Sequence, residues 1–332
     1  GSKDNLAGTA FKESLPIADD SEYDLLGLFS QYVWKPVEPV EITGGVRYTH
    51  AEASLGRFYD LAGVLQPSQT QSWDSVVGSL RGLYRFNTCW SMFGGISQSF
   101  RAPNLDDLTG NMTAKSGSAA LGSTDVDPEE YLTYEIGTRH ETEATSLTAS
   151  VFYTDVNDQI SSVPIVSGGK DTITTNATDG YVYGVELEGA WRFHPQWTLS
   201  GFAAWQDGRT EAPLFLGGPE DEKSMSRLLP LTGSLALRWT APSDKFWVEG
   251  RLLAAATEDR ISAEDQAADN QRIPTDGTPG YCVAALHAGM KVNDHLDLTC
   301  GIENLTDVDY RNHGSGQNEA GLTGIFGARV TW

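Results

Sequence analysis

Apolar and polar residues alternate along many stretches of the chain, and the C-terminal stretch shows the pattern most clearly. From Leu322 to Trp332 every second residue is apolar or small, and the residues between them include Thr323, Arg329 and Thr331. A period of two places successive side chains on opposite faces of a β-strand. Because an uncovered apolar strand invites aggregation, the pattern predicts a strand that something covers rather than a frayed tail.

The same alternation recurs in 13 segments, and almost nothing in the chain has a helical period. Between Tyr181 and Phe193, for example, Tyr, Val, Leu, Trp and Phe occupy one face, whereas Glu186, Glu188 and Arg192 occupy the other. The sequence therefore predicts an all-β fold. The strands are predicted to begin near Tyr23, Val40, Asp74, Trp90, Tyr131, Thr145, Gly180, Trp197, Pro230, Phe246, Gly280, His295 and Glu319.

The connections between these segments are short and long in strict alternation. "VNDH" and "APSDK" are examples of the short kind, and "YRNHGSGQNEAG" is an example of the long kind. Outer-membrane β-barrels have this asymmetry, because their periplasmic turns are tight and their outward loops are long. The alternative is a soluble β-sandwich or propeller, which requires no such alternation and no aromatic residues near strand ends, such as Trp191, Phe193 and Trp197.

Composition excludes several classes of function. The chain has 23 basic and 45 acidic residues, a net charge of −22, which disfavours a nucleic-acid partner. No segment approaches the roughly 20 apolar residues of a membrane-spanning helix, and the first residues do not resemble a signal peptide. The three cysteines lack zinc or dithiol spacing. Cys282 and Cys300 could pair if their strands are neighbours, or remain free.

Several local motifs resemble one family in their order and spacing. They are "SQSFRAPNLDDL", "LTYEIGTRHE" followed by "LTASVFYTDVNDQI", "NATDGYVYGVELEGAWRF", "GIENLTDVDYRNHGSG" and the terminal "FGARVTW". From Tyr23 onward the chain resembles the C-terminal half of a TonB-dependent outer-membrane receptor. The resemblance implies a transmembrane antiparallel β-barrel in the outer membrane of a Gram-negative bacterium. It also implies that the last strand, ending on Trp332, pairs with the first strand to close the barrel.

The resemblance further implies how the chain is divided. Family members have 22 strands and a plug, so this chain would supply about 13 C-terminal strands of a 22-stranded plugged barrel. Residues 1–22 are expected to form an extracellular loop, and residues 23–332 the C-terminal portion of the barrel. The plug and the first strands would come from elsewhere, after a nick in a longer chain or from a separate chain; a barrel that stands alone is the third possibility.

By the same resemblance the assembled protein is a receptor and active transporter for a scarce nutrient, such as a ferric siderophore, cobalamin or a similar metal complex. Its expected partners are an inner-membrane energy-coupling protein acting through the missing plug, the N-terminal half of the receptor, lipopolysaccharide and outer-membrane lipid. No cofactor is expected. The chain lacks a GxSxG elbow and its six histidines are scattered, so no enzyme is predicted. A passive or adhesive barrel and a soluble all-β binding module stay open as alternatives.

Candidate substrate-binding residues lie in or beside the long connections. Arginines there could bind anionic groups, beside aromatic residues such as Tyr131, Phe215 and Tyr310. The alternative role for each arginine is an ion pair within the wall or a contact to lipopolysaccharide phosphate. The residues assigned to substrate binding are Arg101, Asn104, Arg227, Arg272, Arg311 and His313.

Haem and copper receptors are alternatives of lower weight. The "FRAP" box at Phe100–Pro103 resembles the box that precedes a haem-ligating loop, but the stretch from Asn104 to Glu130 contains no histidine. Thioether and imidazole ligands suit copper. The residues that could supply them are Met112, Met225, His50 and His313. The acidic runs lack calcium-loop spacing, so no metal site is predicted.

Overall fold

A computed structural model describes residues 17–60, 64–113, 118–176, 179–262, 265 and 272–332. Within these ranges one helix, α1 (Leu105–Thr109), accompanies 20 strands. In chain order they are β1 (Glu22–Val37), β2 (Val40–Leu55), β3 (Phe58–Tyr59), β4 (Leu65–Gln66), β5 (Gln69–Arg85), β6 (Trp90–Arg101), β7 (Asn111–Thr113), β8 (Ala119–Leu121), β9 (Glu129–Glu141), β10 (Thr145–Asn157), β11 (Ile160–Pro164), β12 (Thr172–Asn176), β13 (Asp179–His194), β14 (Trp197–Pro213), β15 (Glu220–Ser224), β16 (Thr232–Thr240), β17 (Phe246–Ala255), β18 (Tyr281–Asn293), β19 (Leu296–Glu303) and β20 (Thr323–Val330). None of the helical residues described forms a segment long and apolar enough to cross a membrane.

The predicted all-β fold is confirmed, and so is the number of main strands. Thirteen strands form one antiparallel sheet in the order β1-β2-β5-β6-β9-β10-β13-β14-β16-β17-β18-β19-β20, with β15 paired to β14. Most strands begin within two residues of the predicted position. The largest differences are β5, which begins at Gln69 rather than Asp74, and β20, which begins at Thr323 rather than Glu319. The remaining short strands lie in the long connections.

One face of the sheet is apolar and carries two rows of aromatic side chains. Tyr153, Tyr181, Tyr183 and Trp205 form one row, with neighbouring ring centroids 5.6 to 6.2 Å apart. The other row, at the opposite end of the strands, includes Trp191–Phe193, Trp239–Phe246 and Trp90–His140. Tyr183 and Trp191 are eight residues apart on β13, about 26 Å along the strand. At the tilt of about 40° that strands have in membrane barrels, this length spans about 20 Å of the bilayer, so the two rows lie close to the borders of an apolar band of roughly 25 Å.

The other face of the sheet is charged. Glu249 lies between Arg238 (Nε–Oε2, 3.1 Å) and Arg251 (Nη2–Oε1, 2.8 Å), and its side chain is 11% exposed. On the next two strands His287 pairs with Glu303 at 2.6 Å. The register places Arg238 opposite Glu249 and Glu249 opposite His287, so these groups form one row across four strands. A barrel interior has this polar character, which makes the charged face the inner wall.

Aromatic rings on the charged face lie over glycines of the neighbouring strand. Trp247 is the register partner of Gly289, and a Cβ atom at Gly289 would lie 2.5 Å from its indole ring. The Trp247 ring also lies 3.9 Å from the Arg238 guanidinium carbon. The same arrangement of ring and opposite glycine occurs in Phe93–Gly137, Phe152–Gly184 and His287–Gly301. Glycine at these positions lets a flat ring cover the backbone of the wall.

We predict that Gly289→Val in the complete receptor lowers the free energy of unfolding by about 2 kcal/mol, because the new side chain must displace the Trp247 ring. Thermal unfolding followed by tryptophan fluorescence measures the effect. Gly250→Val is the matched control, since no atom lies within 4 Å of a Cβ atom built there. Equal destabilisation by the two variants would show that the Trp247–Gly289 packing has no special role.

The main sheet is not closed in the described chain. β1 and β20 each have one neighbour, and they do not pair with each other. Both edge strands expose large apolar side chains: Phe29 is 78% exposed and Phe326 is 87% exposed. The chain therefore forms an open wall with two apolar edges.

The turn after β19 is organised by Asn304 and Asp307. Asn304 is 3% exposed, and its amide donates to the Val308 and Ala320 carbonyls. Asp307 accepts a hydrogen bond from the Leu322 backbone N–H. Both residues have positive φ, a conformation that Asn and Asp tolerate better than most side chains.

The cysteines are free in the described structure. β18 and β19 are neighbours, but Cys282 lies opposite Ala254 of β17, and Cys300 lies opposite Ala288. Because Cys282 and Ala288 are six positions apart on β18, the two sulfur atoms do not face each other. Of the two alternatives left open by the sequence, the structure therefore has the unpaired thiols.

Candidate functional site

The long connections of the main sheet all lie at one end of it, which we call the loop end. They span residues 56–68, 102–128, 158–178, 214–231, 256–280 and 304–322. The short connections, at the opposite end, span residues 38–39, 86–89, 142–144, 195–196, 241–245 and 294–295. The predicted alternation of short and long connections is confirmed. All six predicted substrate-binding residues lie at the loop end.

Arg101 is held by two carboxylates at the loop end of β6. Its Nε donates to Glu129 Oε2 at 2.6 Å, and its Nη1 donates to Asp107 Oδ2 at 2.8 Å. Glu129, 3% exposed, also accepts hydrogen bonds from the Tyr131 hydroxyl and from the Ile160 backbone N–H, the latter at 2.7 Å. Glu129 thus joins three segments of the chain, and Arg101 is part of that junction.

Asn104 is the N-cap of α1. Its Oδ1 accepts from the backbone N–H groups of Asp106 and Asp107, at 2.8 and 3.0 Å, and the Asp107 side chain accepts from the Asn104 N–H. This is a capping box, which satisfies the first free N–H groups of a helix. The structure thereby gives Asn104 a role in shaping the loop.

A small apolar cluster anchors α1 to the loop end of β2. Its members are Ala18, Ala53, Leu55, Phe58, Leu108 and Val126. The Ala18 N–H also donates to Thr109 Oγ1 at 3.0 Å. The segment that precedes β1 therefore packs on α1, at the same end of the sheet as the long connections.

Two long connections share a second, four-stranded sheet with the order β11-β12-β8-β7. β12, from the connection 158–178, pairs in parallel with β8, from the connection 102–128. Asp171 Oδ1 and Asn176 Oδ1 accept from the Ala119 and Asp127 N–H groups, both at 2.8 Å. These contacts join the two connections into one folded layer at the loop end of the main sheet.

Buried carboxylates organise the connection 256–280. Glu258 is 1% exposed and accepts hydrogen bonds from the Arg260 backbone and guanidinium. Arg260 Nη1 also lies 3.1 Å from Asp207 Oδ1 on β14. The hydrogen bond to Glu258 raises the pKa of the Arg260 guanidinium, so the cation is fixed. Asp265, also 1% exposed, accepts from the Ser226 hydroxyl at 2.6 Å.

The structure brings Arg227, Arg272 and His313 together around the connection 304–322. His313 Nδ1 lies 2.9 Å from Thr278 Oγ1. The side-chain stems of Arg227 and Arg272 lie beside Gly314 and Gly316, both with a φ of 78°. This positive φ, which glycine adopts at no steric cost, lets the loop turn tightly beside the two arginines.

The other predicted residues do not join this group. Arg311 Nε donates to Asn318 Oδ1 within its own loop, at 2.8 Å. Arg101 ends β6 and Asn104 caps the helix α1 that follows, and β6 is five strands away from β16 in the order of the sheet. The predicted set therefore divides between two places at the loop end.

His313 couples two long connections in a pH-sensitive way. Burial lowers its pKa below the ordinary value, against the opposing effect of Glu258 and Asp265, so the docked loop favours the neutral ring. As pH falls below about 6.5, the His313 ring binds a proton in the undocked loop more readily than in the docked loop. Docking therefore weakens with falling pH, until the pH is below the lowered pKa of the docked state and both states are protonated.

We therefore predict that residues 304–322 exchange amide hydrogens faster at pH 5.5 than at pH 7.5, after correction for intrinsic rates. His313→Gln should reduce this pH dependence, because the amide does not titrate. His50→Gln is the control, since His50 pairs with Asp74 at 2.9 Å on other strands. A pH dependence that persists in His313→Gln would assign the effect to other groups.

The potential copper ligands lie on separate elements. His50 pairs with Asp74 across β2 and β5, and Met112 on β7 is 60% exposed. Met225 is buried beside Gly180, and His313 contacts Thr278. Over the described ranges, no group of three or more His, Cys, Asp or Glu residues is arranged to hold a metal ion.

Comparison with known proteins identifies the family. Residues 3–305 match the family model described as TonB dependent receptor-like, beta-barrel. The pesticin receptor of Yersinia enterocolitica is 25% identical over 295 residues, covering 88% of this chain and 40% of the relative. The catecholate siderophore receptor Fiu of Escherichia coli K12 is 26% identical over 201 residues, which is 59% of this chain and 24% of that protein. The chain thus spans less than half the length of these curated relatives.

Solved structures share the fold. The copper transporter OprC superposes with a TM-score of 0.80 at 19% identity, over 100% of this chain and 52% of that one. The ferric yersiniabactin uptake receptor FyuA of Yersinia pestis superposes with a TM-score of 0.66 at 19% identity, over 93% of this chain and 46% of that one. The family match, the two-faced antiparallel sheet and the alternating connections agree: the chain belongs to the TonB-dependent receptor family and comprises part of its β-barrel.

Proposed function

We propose that this chain forms the C-terminal part of the wall of an energy-coupled outer-membrane receptor, which takes up a scarce nutrient as a small metal complex. The observation that carries the proposal is the two-faced wall. An apolar face with two aromatic rows fits the bilayer, and the opposite face carries the Arg238–Glu249–Arg251 and His287–Glu303 pairs of a polar lumen. Transport through such a lumen requires no bond of the cargo to be made or broken.

The open edges support the proposed assembly. β1 and β20 present unpaired backbone groups and apolar side chains, which in a membrane must pair with further strands. We propose that these strands, and a plug inside the lumen, belong to the N-terminal half of the receptor, in the same chain or a separate one. The plug would bind an inner-membrane energy-coupling protein. The extracellular loop predicted for residues 1–22 stays a proposal: residues 1–16 lie outside the described ranges, and Ala18, within them, packs with the long connections.

A ferric siderophore or a similar metal complex is the proposed cargo. The pesticin, catecholate and yersiniabactin receptors among the relatives support iron uptake, whereas OprC, which shares the fold, is named as a copper transporter. Arg227, Arg272, Arg311 and His313 line the connection 304–322 and its neighbours, where they would contact cargo. Arg101 and Asn104 would contribute to cargo binding indirectly, by holding the loop around α1 in its shape.

Accumulation of metal by living cells tests the proposal. Iron-starved cells with and without the gene would receive radiolabelled Fe(III) as a tris-catecholate, as a trihydroxamate and as a mixed phenolate complex. We expect the gene to be required for accumulation of at least one complex, and a protonophore to abolish that accumulation. Accumulation that requires the gene but survives the protonophore would instead show a passive barrel. No dependence on the gene for any complex would contradict the proposed uptake of ferric complexes.

A further inference from the structure

Two tyrosine rings meet at the loop end on the lumen side of the wall. Tyr281 is the first residue of β18, and its register partner on β17 is Ala255. Tyr281 lies six residues before His287 on β18, and since side chains an even number of residues apart share a face of a strand, Tyr281 lies on the charged face. Tyr310, from the connection 304–322, places its ring centroid 4.4 Å from that of Tyr281 at an interplanar angle of 44°. Both rings are partly exposed, so the pair is accessible from the lumen mouth.

Hydrogen bonds orient a carboxylate beside the two rings. The Tyr281 hydroxyl donates to Asn312 Oδ1 at 2.6 Å, and Asn312 Nδ2 donates to Glu319 Oε1 at 2.8 Å. The Glu319 backbone N–H donates to the Tyr310 carbonyl at 2.8 Å, which closes the loop around the pair. The Glu319 residue is exposed. Its carboxylate therefore carries a charge at the edge of the rings, in an accessible position.

The electrostatic field at the rings is negative. Burial raises the pKa of the Tyr310 hydroxyl, and the charges of Glu319 and Glu303 raise it further. Glu303 pairs with His287, whereas Glu319 belongs to none of the ion pairs found among the described residues. Arg311, in the same loop, donates its Nε–H to Asn318. The rings thus lie beside an exposed carboxylate that takes part in no ion pair among the residues that the structure describes.

We infer that Tyr281, Tyr310 and Glu319 form a binding site for an organic cation, such as a quaternary ammonium or protonated amine carried by a ligand. Faces of aromatic rings attract cations through their quadrupoles, and desolvation strengthens the attraction. The carboxylate supplies the opposite charge, and Asn312 holds it in place. An anionic group would meet the same carboxylate and be repelled. The site shares the connection 304–322 with Arg311 and His313, which would bind anionic parts of a cargo.

Tetramethylammonium chloride is a direct probe of this site, and neopentyl alcohol is a neutral molecule of similar shape. The complete receptor in detergent would be titrated with each compound, and binding followed by saturation-transfer difference NMR. We expect saturable binding of tetramethylammonium and much weaker binding of neopentyl alcohol. Equal binding of the two compounds, or no saturable binding of the cation, would overturn the inference.

Substitutions test which residues of the site bind the cation. Glu319→Gln should weaken tetramethylammonium binding about threefold, because the ring contribution remains. Tyr310→Leu should weaken it more, whereas Tyr310→Phe should retain it because the ring is kept. Glu222→Gln, an exposed residue of β15, is the matched control and should change nothing. Unchanged binding in both Glu319→Gln and Tyr310→Leu would overturn the site. Because this titration measures no uptake, its failure would leave the proposed transport function intact.

Discussion

Glu129→Gln in the complete receptor is expected to loosen the loop end over residues 101–113 and 158–164. The carboxylate accepts hydrogen bonds from Arg101, Tyr131 and the Ile160 N–H while nearly fully buried. An amide cannot balance the guanidinium charge, and its NH₂ group would face another donor. Since Arg101 is partly exposed, we expect a cost of about 2 kcal/mol, roughly a 30-fold increase in local opening. Hydrogen exchange followed by mass spectrometry measures that opening directly.

Glu130→Gln is the control for this prediction, because Glu130 is adjacent in sequence but exposed. It should leave exchange unchanged in both segments. If Glu129→Gln left the exchange of Leu105–Thr109 and Ile160–Pro164 as slow as in the native protein, Glu129 would not be the junction between β6, α1 and β11.

Glu249→Gln is expected to destabilise the wall itself. Arg238 and Arg251 lie on either side of Glu249, and without its charge the two guanidinium groups face each other unneutralised. Both arginines are partly exposed, so solvent screens part of the repulsion. The expected loss is about 1 to 2 kcal/mol of unfolding free energy. Thermal unfolding of the purified receptor in detergent would measure it as a lower midpoint.

Glu41→Gln provides the comparison. Glu41 also contacts two cations, Lys35 at 3.1 Å and Arg85 at 3.3 Å, but it lies beside the short connection 38–39. Solvent competes for these charges, so the midpoint should change little. If Glu41→Gln and Glu249→Gln lowered the unfolding midpoint equally, burial of Glu249 in the charged face would not be what makes its ion pairs stabilising.

The sequence predicted the strands because the period of two is a local property. Tyr181, Trp191 and Phe193 alternate with Glu186 and Glu188, and burial in a bilayer on one side requires that alternation. Turn residues set the short connections in the same local way. β5 begins five residues earlier than predicted because its loop end, Gln69–Trp73, pairs with Ala51–Leu55 above the apolar band, where no alternation is needed.

The loop end was harder to predict, because its contacts depend on register between distant segments. Arg101, a predicted substrate-binding residue, forms an ion pair with Glu129, which is 28 residues away in sequence and opposite it in the sheet, and no local pattern indicates that pair. Asn104 could have been recognised as a cap, since Asp107 follows it by three residues. Glu258, Asp207 and Asp265 carried no local signal at all. Tyr310 was named as an aromatic residue of the mouth, but its partner Tyr281 comes from β18, and Glu319 lies nine residues further along the same connection.

The orientation of the wall in the outer membrane is the central claim, and sided labelling of intact cells tests it most directly. In a receptor without native cysteines, Ser167→Cys would mark the long connection 158–178, and Ser243→Cys would mark the short connection 241–245; both serines are exposed. A membrane-impermeant maleimide is predicted to label position 167 in intact cells, and position 243 only after the outer membrane is permeabilised. Labelling of position 243 but not 167 in intact cells, or no surface labelling of either, would contradict the account.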